Sequence, residues 1–182
     1  MIEELTAGTL PAALPGLAGL LVACVEAGAS IGFLPPMRPA EAAAYWDGLA
    51  GALATGERRM LLARDGRGAV TGTASLVLAG LPNGRHRAEV AKVMVHPAAR
   101  RQGVGRALML RLEALAREEG RDLLVLDTKS GEAAERLYRA LGWIAVGQVP
   151  GYALEPGGRC ATTFMYRALG GAPPDVGLVG KG

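Results

Sequence analysis

The feature that most constrains this chain is a central segment in which an apolar strand turns into a helix through a glycine-containing loop. Residues 93–109 have the sequence Val-Met-Val-His-Pro-Ala-Ala-Arg-Arg-Gln-Gly-Val-Gly-Arg-Ala-Leu-Met. Glycines at such a junction let the main chain approach a ligand closely, and the first helical turn offers unpaired N–H groups and the positive end of the helix dipole. The segment therefore predicts a site for the pyrophosphate of a phosphate-bearing cofactor.

Two other nucleotide-binding motifs do not fit this loop. A dinucleotide fingerprint needs a third glycine three positions after Gly105, but that residue is Leu108. A Walker-type loop needs Lys-Ser/Thr after its glycines, and the chain has neither there. An ordinary tight turn between a strand and a helix remains the alternative interpretation.

Two signatures in this part of the chain resemble those of the GNAT N-acetyltransferases. Arg100, Gly103 and Gly105 fill the fixed positions of that family's Arg/Gln-x-x-Gly-x-Gly/Ala motif, which follows a short apolar strand. Residues 137–143, Leu-Tyr-Arg-Ala-Leu-Gly-Trp, resemble its second motif, Leu-Tyr-x-x-Leu-Gly-Phe. Further strings resemble the subgroup of the tabtoxin resistance protein; they lie at residues 28–33, 81–84, 87–90, 126–128, 151–152 and 158–159.

This resemblance implies an enzyme that moves the acetyl group of acetyl-CoA to a primary amine of a small molecule, such as an amino acid, a toxin or an antibiotic-like compound. It implies direct attack of the amine in a ternary complex. Two departures bear on the site. Lys129-Ser130-Gly131 stands where many members carry an Asn that touches the pantetheine arm, and Trp143 replaces the commoner Phe, a change we expect at the pocket rim.

Composition limits the other classes of function. The chain has 182 residues, enough for one domain with a core, and its formal net charge of +3 is dispersed, so nothing indicates nucleic acid. The apolar run 10–33 is interrupted by prolines and Glu26, which favours a buried helix over a membrane span, and the N-terminus lacks the basic start of a signal peptide. Cys24 and Cys160 lack CxxC spacing, and with two histidines we expect reduced thiols, no metal and a cytoplasmic protein.

Hydrophobic periodicity predicts an α/β fold. We expect helices over residues 15–27, 40–54, 103–119 and 132–141, and strands over residues 59–64, 70–78, 88–95, 123–128, 144–149 and 161–167. Hairpins followed by strand-helix-strand-helix-strand favour a mixed, mostly antiparallel sheet of about six or seven strands with helices on both faces, which is also the GNAT architecture. We expect one domain over residues 1–169 and a mobile tail over residues 170–182.

Spacing along the two later helices predicts several local contacts. Glu113 and Arg117 lie four residues apart and are expected to pair. Ser130 is a candidate N-cap of the helix over residues 132–141, while Gly120 and Gly142 are expected to end the two helices in the left-handed conformation. Tyr138 shares the inward face of its helix and should lie near the sheet.

The resemblance, together with the loop chemistry, assigns candidate cofactor contacts. Main-chain N–H groups of Met94 or Val95 would bind the thioester oxygen and the pantetheine, provided that their strand splays from its parallel neighbour. Amides of residues 102–106 would hold the pyrophosphate, and arginines would add charge. The loop residues concerned are Arg100, Arg101, Gln102, Gly103, Val104, Gly105 and Arg106.

Glu89 and Asp127 are candidate proton acceptors, because each lies in or at the end of an apolar strand where an unpaired charge is costly. The alternatives are a salt bridge of Glu89 with Lys92 or Arg87, and a turn cap made by Asp127. Tyr138 is the candidate general acid for the coenzyme A thiolate, and its alternative is a core aromatic. A non-catalytic acyl-CoA-binding module, a protein N-terminus or lysine as acceptor, and a homodimer also stay open.

Overall fold

A computed structural model describes residues 1–170 and shows one seven-stranded sheet in the order β1-β2-β3-β4-β5-β7-β6. The strands are β1 (Ile2–Leu5), β2 (Arg58–Arg64), β3 (Val70–Leu78), β4 (Arg87–Val95), β5 (Leu123–Lys129), β6 (Ile144–Glu155) and β7 (Gly158–Ala168). The helices are α1 (Leu10–Glu26), α2 (Pro39–Asp47), α3 (Ala50–Ala54), α4 (Val104–Glu118) and α5 (Ala133–Ala140). Most of the expected tail, residues 171–182, lies outside the described residues.

The predicted fold class is confirmed. β4 and β5 pair in parallel, and every other neighbouring pair of strands is antiparallel. One face of the sheet packs on α4 and α5 through a core that includes Leu108, Leu112 and Leu124. The other face packs on α1 and α2, where Leu17, Leu21 and Trp46 are fully buried.

The N-terminal third differs from the sequence-based expectation in three ways. The strand β1 was not predicted, because its four residues are too short for a periodic signal. Helix α1 begins at Leu10 rather than at residue 15, since Pro11 lies in the first turn, where its missing N–H is not needed. The helix expected over residues 40–54 is two helices, which Gly48 and Leu49 separate.

Two expected contacts of the later helices are wrong. Glu113 does not pair with Arg117: its side chain is 3% exposed and its Oε1 lies 2.9 Å from Nε of Arg167 on β7. Burial on the sheet side of α4 selects a partner from the sheet instead of one from the exposed helix surface. Ser130 does not cap α5; its Oγ lies 2.8 Å from Oγ1 of Thr163, and the N-cap residue is Glu132.

The expected helix stops are confirmed. Gly120 and Gly142 have φ values of +67° and +84°, and the residues after them donate back to the preceding turn. The β6–β7 hairpin is longer than predicted, because β6 is an edge strand, where Pro150 costs no ladder hydrogen bond. Within residues 1–170, no helix combines the length and the apolar character that crossing a membrane requires.

Candidate active site

A gap in the sheet between β4 and β5 forms the centre of the site. The parallel pairing covers only Arg87–Glu89 against Leu123–Val125. Beyond it, β4 contains a β-bulge: between the pairs Thr73–Met94 and Ser75–Ala91, the single residue Ala74 of β3 lies opposite two residues of β4, Lys92 and Val93, and Lys92 has a φ of +53°. The bulge turns β4 away from β5, as the cofactor hypothesis required. The gap opens into a cavity of about 870 Å³.

The glycine-containing loop closes one end of this cavity. Gly103 has a φ of +81° and directly precedes α4, and Arg101 also has a positive φ of +63°. A Cβ at Gly103 would meet no atom within 4 Å, whereas one at Gly105 would lie 3.2 Å from Cδ2 of Leu137 on α5. The two glycines therefore serve different purposes: Gly103 permits the turn, and Gly105 permits close packing of two helices.

Most of the predicted loop residues line the cavity. Arg100, Arg101, Gly103, Val104, Gly105 and Arg106 do so. The side chain of Gln102 instead turns back along the loop, where its Nε2 donates to the carbonyl oxygen of Ala98 over 3.0 Å. The N-terminus of the 15-residue helix α4 thus faces the cavity beside three arginines, which is an arrangement suited to a pyrophosphate.

The direction of the main-chain amides in β4 distinguishes Met94 from Val95. The amide of His96 donates to the carbonyl oxygen of Thr71 across the β3–β4 ladder. Because donors alternate between the two edges of a strand, the amide of Met94 also points to β3, and that of Val95 points into the gap. Both residues line the cavity. Sγ of the buried Cys24 lies 3.5 Å from the Val95 carbonyl oxygen, and burial raises the pKa of this thiol.

The two predicted carboxylates share one wall of the cavity. Glu89 is opposite Val125 in the parallel pair, and Asp127 lies two residues further along β5, so both side chains project from the same face of the sheet. Among residues 1–170 neither carboxylate takes part in a hydrogen bond or an ion pair within 4 Å. The alternative contacts of Glu89 with Lys92 or Arg87, and the turn cap by Asp127, are therefore not formed in the described part of the chain.

Tyr138 reaches the cavity from the opposite face, on α5. Its side chain is 5% exposed, yet it lines the cavity, and burial together with the negative charge of Asp127 raises the pKa of its hydroxyl group above its ordinary value. The hydroxyl therefore stays protonated at neutral pH. Trp143, which was expected at the pocket rim, is 3% exposed and packs in the core with its ring centroid 6.1 Å from that of Tyr138.

The sequence analysis did not assign a role to the part of the cavity that lies away from the loop. Residues 28–32 form one side of this end, and Tyr152 of β6 forms another. Lys92 also lines it, at the bulge. Lys92 is a charged residue between apolar residues of β4, which is the same sequence signal that marks Glu89.

Comparison with known proteins establishes the family. The model of the acetyltransferase (GNAT) family matches residues 30–143. The chain belongs to this family. Its members are acetyltransferases that use acetyl-CoA, which confirms the predicted enzyme class and cofactor.

Individual relatives agree with this placement. The structure of yncA, a Salmonella typhimurium protein solved with its cofactor acetyl-CoA, is 26% identical over 97% of this chain and 98% of that protein, with a TM-score of 0.73. A GNAT phosphinothricin acetyltransferase of Sinorhizobium meliloti in complex with acetyl-CoA is 24% identical over 93% and 88% of the two chains, with a TM-score of 0.75, and shares the fold.

A curated relative matches a shorter part of the chain. The L-methionine sulfoximine/L-methionine sulfone acetyltransferase of Salmonella typhimurium is 37% identical over 78 residues. These residues are 42% of this chain and 46% of the relative, so the match spans less than half of the length of that enzyme.

Proposed function

We propose that this protein is a small-molecule N-acetyltransferase that transfers acetyl from acetyl-CoA to a primary amine by direct attack in a ternary complex. The observation that carries the proposal is the convergence of Glu89, Asp127 and Tyr138 on one cavity that the glycine-containing loop closes. Two carboxylates that have no partner among residues 1–170 can accept a proton from an ammonium group, and a neutral buried hydroxyl can donate one.

Each chemical requirement has a candidate in this chain. Glu89 or Asp127 accepts the proton of the acceptor's ammonium group, directly or through water. The freed amine forms the new C–N bond with the thioester carbonyl carbon, and the C–S bond breaks. The Val95 amide donates to the thioester oxygen, as an oxyanion-hole donor does. The Tyr138 hydroxyl group protonates the departing thiolate, and the second proton that the nitrogen gives up as the amide forms restores the Tyr138 hydroxyl group, directly or through water.

The loop half of the cavity supports the proposed mode of cofactor binding. The helix dipole and the free N–H groups of the first turn of α4 favour the pyrophosphate, and Arg100, Arg101 and Arg106 supply positive charge. Gln102 contributes its main-chain N–H only, because its side chain is engaged with Ala98. Met94 contributes surface to the cavity wall.

Similarity to an acetyltransferase of small amino compounds favours a small molecule as the acceptor of the acetyl group. The 37% identical segment belongs to an acetyltransferase of L-methionine sulfoximine and L-methionine sulfone, which are amino compounds. Together with the strings that resemble the tabtoxin resistance subgroup, this similarity supports a toxin-like or amino-acid acceptor. A protein N-terminus is the second candidate, because a ribosomal-protein-alanine N-acetyltransferase of Brucella melitensis is 25% identical over 92% of this chain, with a TM-score of 0.73.

A thiol-release assay with acetyl-CoA tests the proposal. The acceptor panel contains L-methionine sulfone, L-methionine sulfoximine, phosphinothricin, simple amines, amino acids and a peptide with an N-terminal alanine. We expect thiol release and a product heavier by one acetyl group with at least one small amine. Acetylation of the peptide alone would establish the second candidate, and binding of acetyl-CoA without thiol release on any acceptor would identify a non-catalytic binding module.

A further inference from the structure

The ammonium group of Lys92 is fixed in position at the end of the cavity away from the loop. Its Nζ donates to the carbonyl oxygen of Ile31 over 2.8 Å and lies 5.7 Å and 5.8 Å from the ring centroids of Phe33 and Tyr45. Among the hydrogen bonds of residues 1–170, this is the one that holds the segment 30–36. The other two donors of the ammonium group have no hydrogen-bond acceptor within the described part of the chain.

Among the described residues, Lys92 has charged neighbours but forms no ion pair with any of them. Glu89 and Asp127 line the same cavity and act to raise the pKa of Lys92, so they lie within electrostatic reach, yet no carboxylate of the described residues is within 4 Å of its Nζ. Burial and the nearby Arg58 lower the pKa of Lys92, and Arg58 has a buried Nη1 that no described group satisfies. This end of the cavity therefore holds separated positive and negative charges.

The other cations of the cavity are already engaged or lie elsewhere. Lys129 forms an ion pair with Glu155 over 2.5 Å and lies 3.7 Å from Glu132. The three arginines belong to the loop before α4 and its first turn, and Arg100 lies beside the thiol of Cys24. Lys92 is thus the lysine of the described cavity lining that has no ion-pair partner.

We propose that Lys92 is a specificity-determining residue that binds a carboxylate of the acceptor, which is therefore a zwitterion such as an α-amino acid. This inference rests on the proposed function and assigns the acceptor end of the same site. The ammonium group of the acceptor lies toward Glu89 and Asp127, and its carboxylate lies toward Lys92. A cation that Ile31 and two aromatic rings hold in place loses little freedom when the carboxylate binds.

The test measures acetylation of three matched acceptors: L-methionine sulfone, its primary amide, and methylsulfonylpropylamine, which lacks the carboxylate. A parallel series starts from L-leucine. For the wild type we expect kcat/KM to be about 10- to 100-fold higher for the acid than for the amide or the amine, as a charge-assisted hydrogen bond predicts. The difference should lie mainly in KM, because Lys92 binds the acceptor away from the reacting atoms.

Three Lys92 variants separate charge from loop anchoring. Lys92→Met should abolish the preference for the acid, and Lys92→Gln, which keeps a donor for Ile31, should abolish it too. Lys92→Arg should keep part of it. Lys129→Gln, a second lysine of the cavity, should leave the ratio of acid to amine unchanged, and the thermal shift with acetyl-CoA confirms folding of each variant.

The outcomes distinguish this inference from the proposed function. Equal acetylation of acids, amides and amines by the wild type would overturn the role of Lys92 and leave small-molecule acetylation intact. A Lys92→Gln variant that keeps the full preference would also overturn it. Absence of acetylation across both series and the earlier panel, with acetyl-CoA still bound, would contradict the proposed function itself.

Discussion

The two halves of the cavity are built in different ways. The cofactor half consists of Val95, the loop 100–106 and the start of α4, which are contiguous in sequence. The acceptor half brings together residues 28–32, Glu89 and Lys92 of β4, Asp127 of β5 and Tyr152 of β6. One half depends on local chain geometry, and the other depends on the packing of distant elements. A family signature can therefore describe the first half, whereas the second is free to differ between relatives on one scaffold.

The largest expected effect concerns the acceptor half. Glu89→Gln and Asp127→Asn should each lower turnover by about 10²- to 10⁴-fold, the usual value of general base catalysis, with little change in acetyl-CoA affinity. Steady-state kinetics and calorimetric binding of acetyl-CoA measure both quantities, and higher pH should partly restore the rate because more of the amine is then neutral.

Glu132→Gln is the matched control for these variants, because Glu132 also lines the cavity but lies 3.7 Å from Lys129. It should keep near-normal turnover. Wild-type turnover of both Glu89→Gln and Asp127→Asn across pH would show that the two carboxylates do not accept the proton.

The next largest effect concerns stability. It tests whether the position of α4 in the cofactor half depends on a contact with the distant strand β7. Glu113→Ala removes a buried carboxylate of α4 and leaves Arg167 of β7 without its partner, which should lower the free energy of unfolding by about 3 kcal/mol. Urea denaturation measures it. Glu118→Ala, which breaks the exposed pair with Arg111, should cost at most about 1 kcal/mol. If both variants lost a similarly small free energy of unfolding, the ion pair between α4 and β7 would not be important for stability.

Tyr138 lies where the two halves meet, and a smaller kinetic effect is expected there. Tyr138→Phe keeps the ring but removes the proton donor, so turnover should fall by up to about 10²-fold, with acetyl-CoA binding retained and at most about 1 kcal/mol of stability lost. Turnover and melting temperature are measured on the same preparation. An unchanged rate with a lower melting temperature would assign Tyr138 to the core.

The raised pKa of Tyr138 adds a pH signature to this experiment. A native pKa above the unfolded value, which is about 10, means that the stability it contributes is complete below pH 10 and declines as the pH rises further. The wild type should show this alkaline loss, and Tyr138→Phe should show a smaller one, because the buried Cys24 and Tyr45, whose pKa values burial also raises, remain. The wild-type rate should not fall near pH 10 through ionisation of this group.

The smallest of these effects probes the turn of the cofactor half. Gly103→Val places a β-branched residue at a φ of +81°, a strain of about 1–3 kcal/mol that should weaken acetyl-CoA binding correspondingly. Gly120→Val introduces similar strain at a φ of +67° after the other end of α4. Both should lower the melting temperature, but only Gly103→Val should reduce the thermal shift with acetyl-CoA. A thermal shift of Gly103→Val equal to that of the wild type would show that the pyrophosphate does not bind at this loop.

Where local chemistry decides the structure, the sequence predicted it well. The strand β3 has the predicted ends, β4 begins one residue before the predicted start, and α4 is shorter than predicted by one residue at each end. Their signals are β-branched runs, helical spacing and glycine stops, and each of these acts within a few residues. The loop between β4 and α4 belongs to the same class, which is why most of the loop residues named from the sequence line the cavity.

Where contacts between residues distant in sequence determine the structure, the sequence alone was not enough to predict it. Glu113 has Arg117 within one helical turn, and its choice of Arg167 depends on how α4 lies on the sheet. The bulge at Lys92 places a non-glycine residue at a positive φ, which no local propensity favours. The acceptor half depends on that bulge and on the position of residues 28–32, so Glu89 and Asp127 were predicted from the sequence, whereas Lys92, Tyr152 and residues 28–32 were not.

The gap between β4 and β5 leaves two inner strand edges without a neighbouring strand. After the pairing of Glu89 with Val125, the amides and carbonyls of β4 that point to β5, such as those of Val95, have no ladder partner on that side, and neither do those at the end of β5. The Cys24 thiol already lies 3.5 Å from the Val95 carbonyl oxygen, and the remaining buried main-chain groups of the gap need water or an extended chain of amides as partners. The described part of the chain is thus a sheet interrupted at its centre, which a bound molecule that carries peptide-like groups would make continuous.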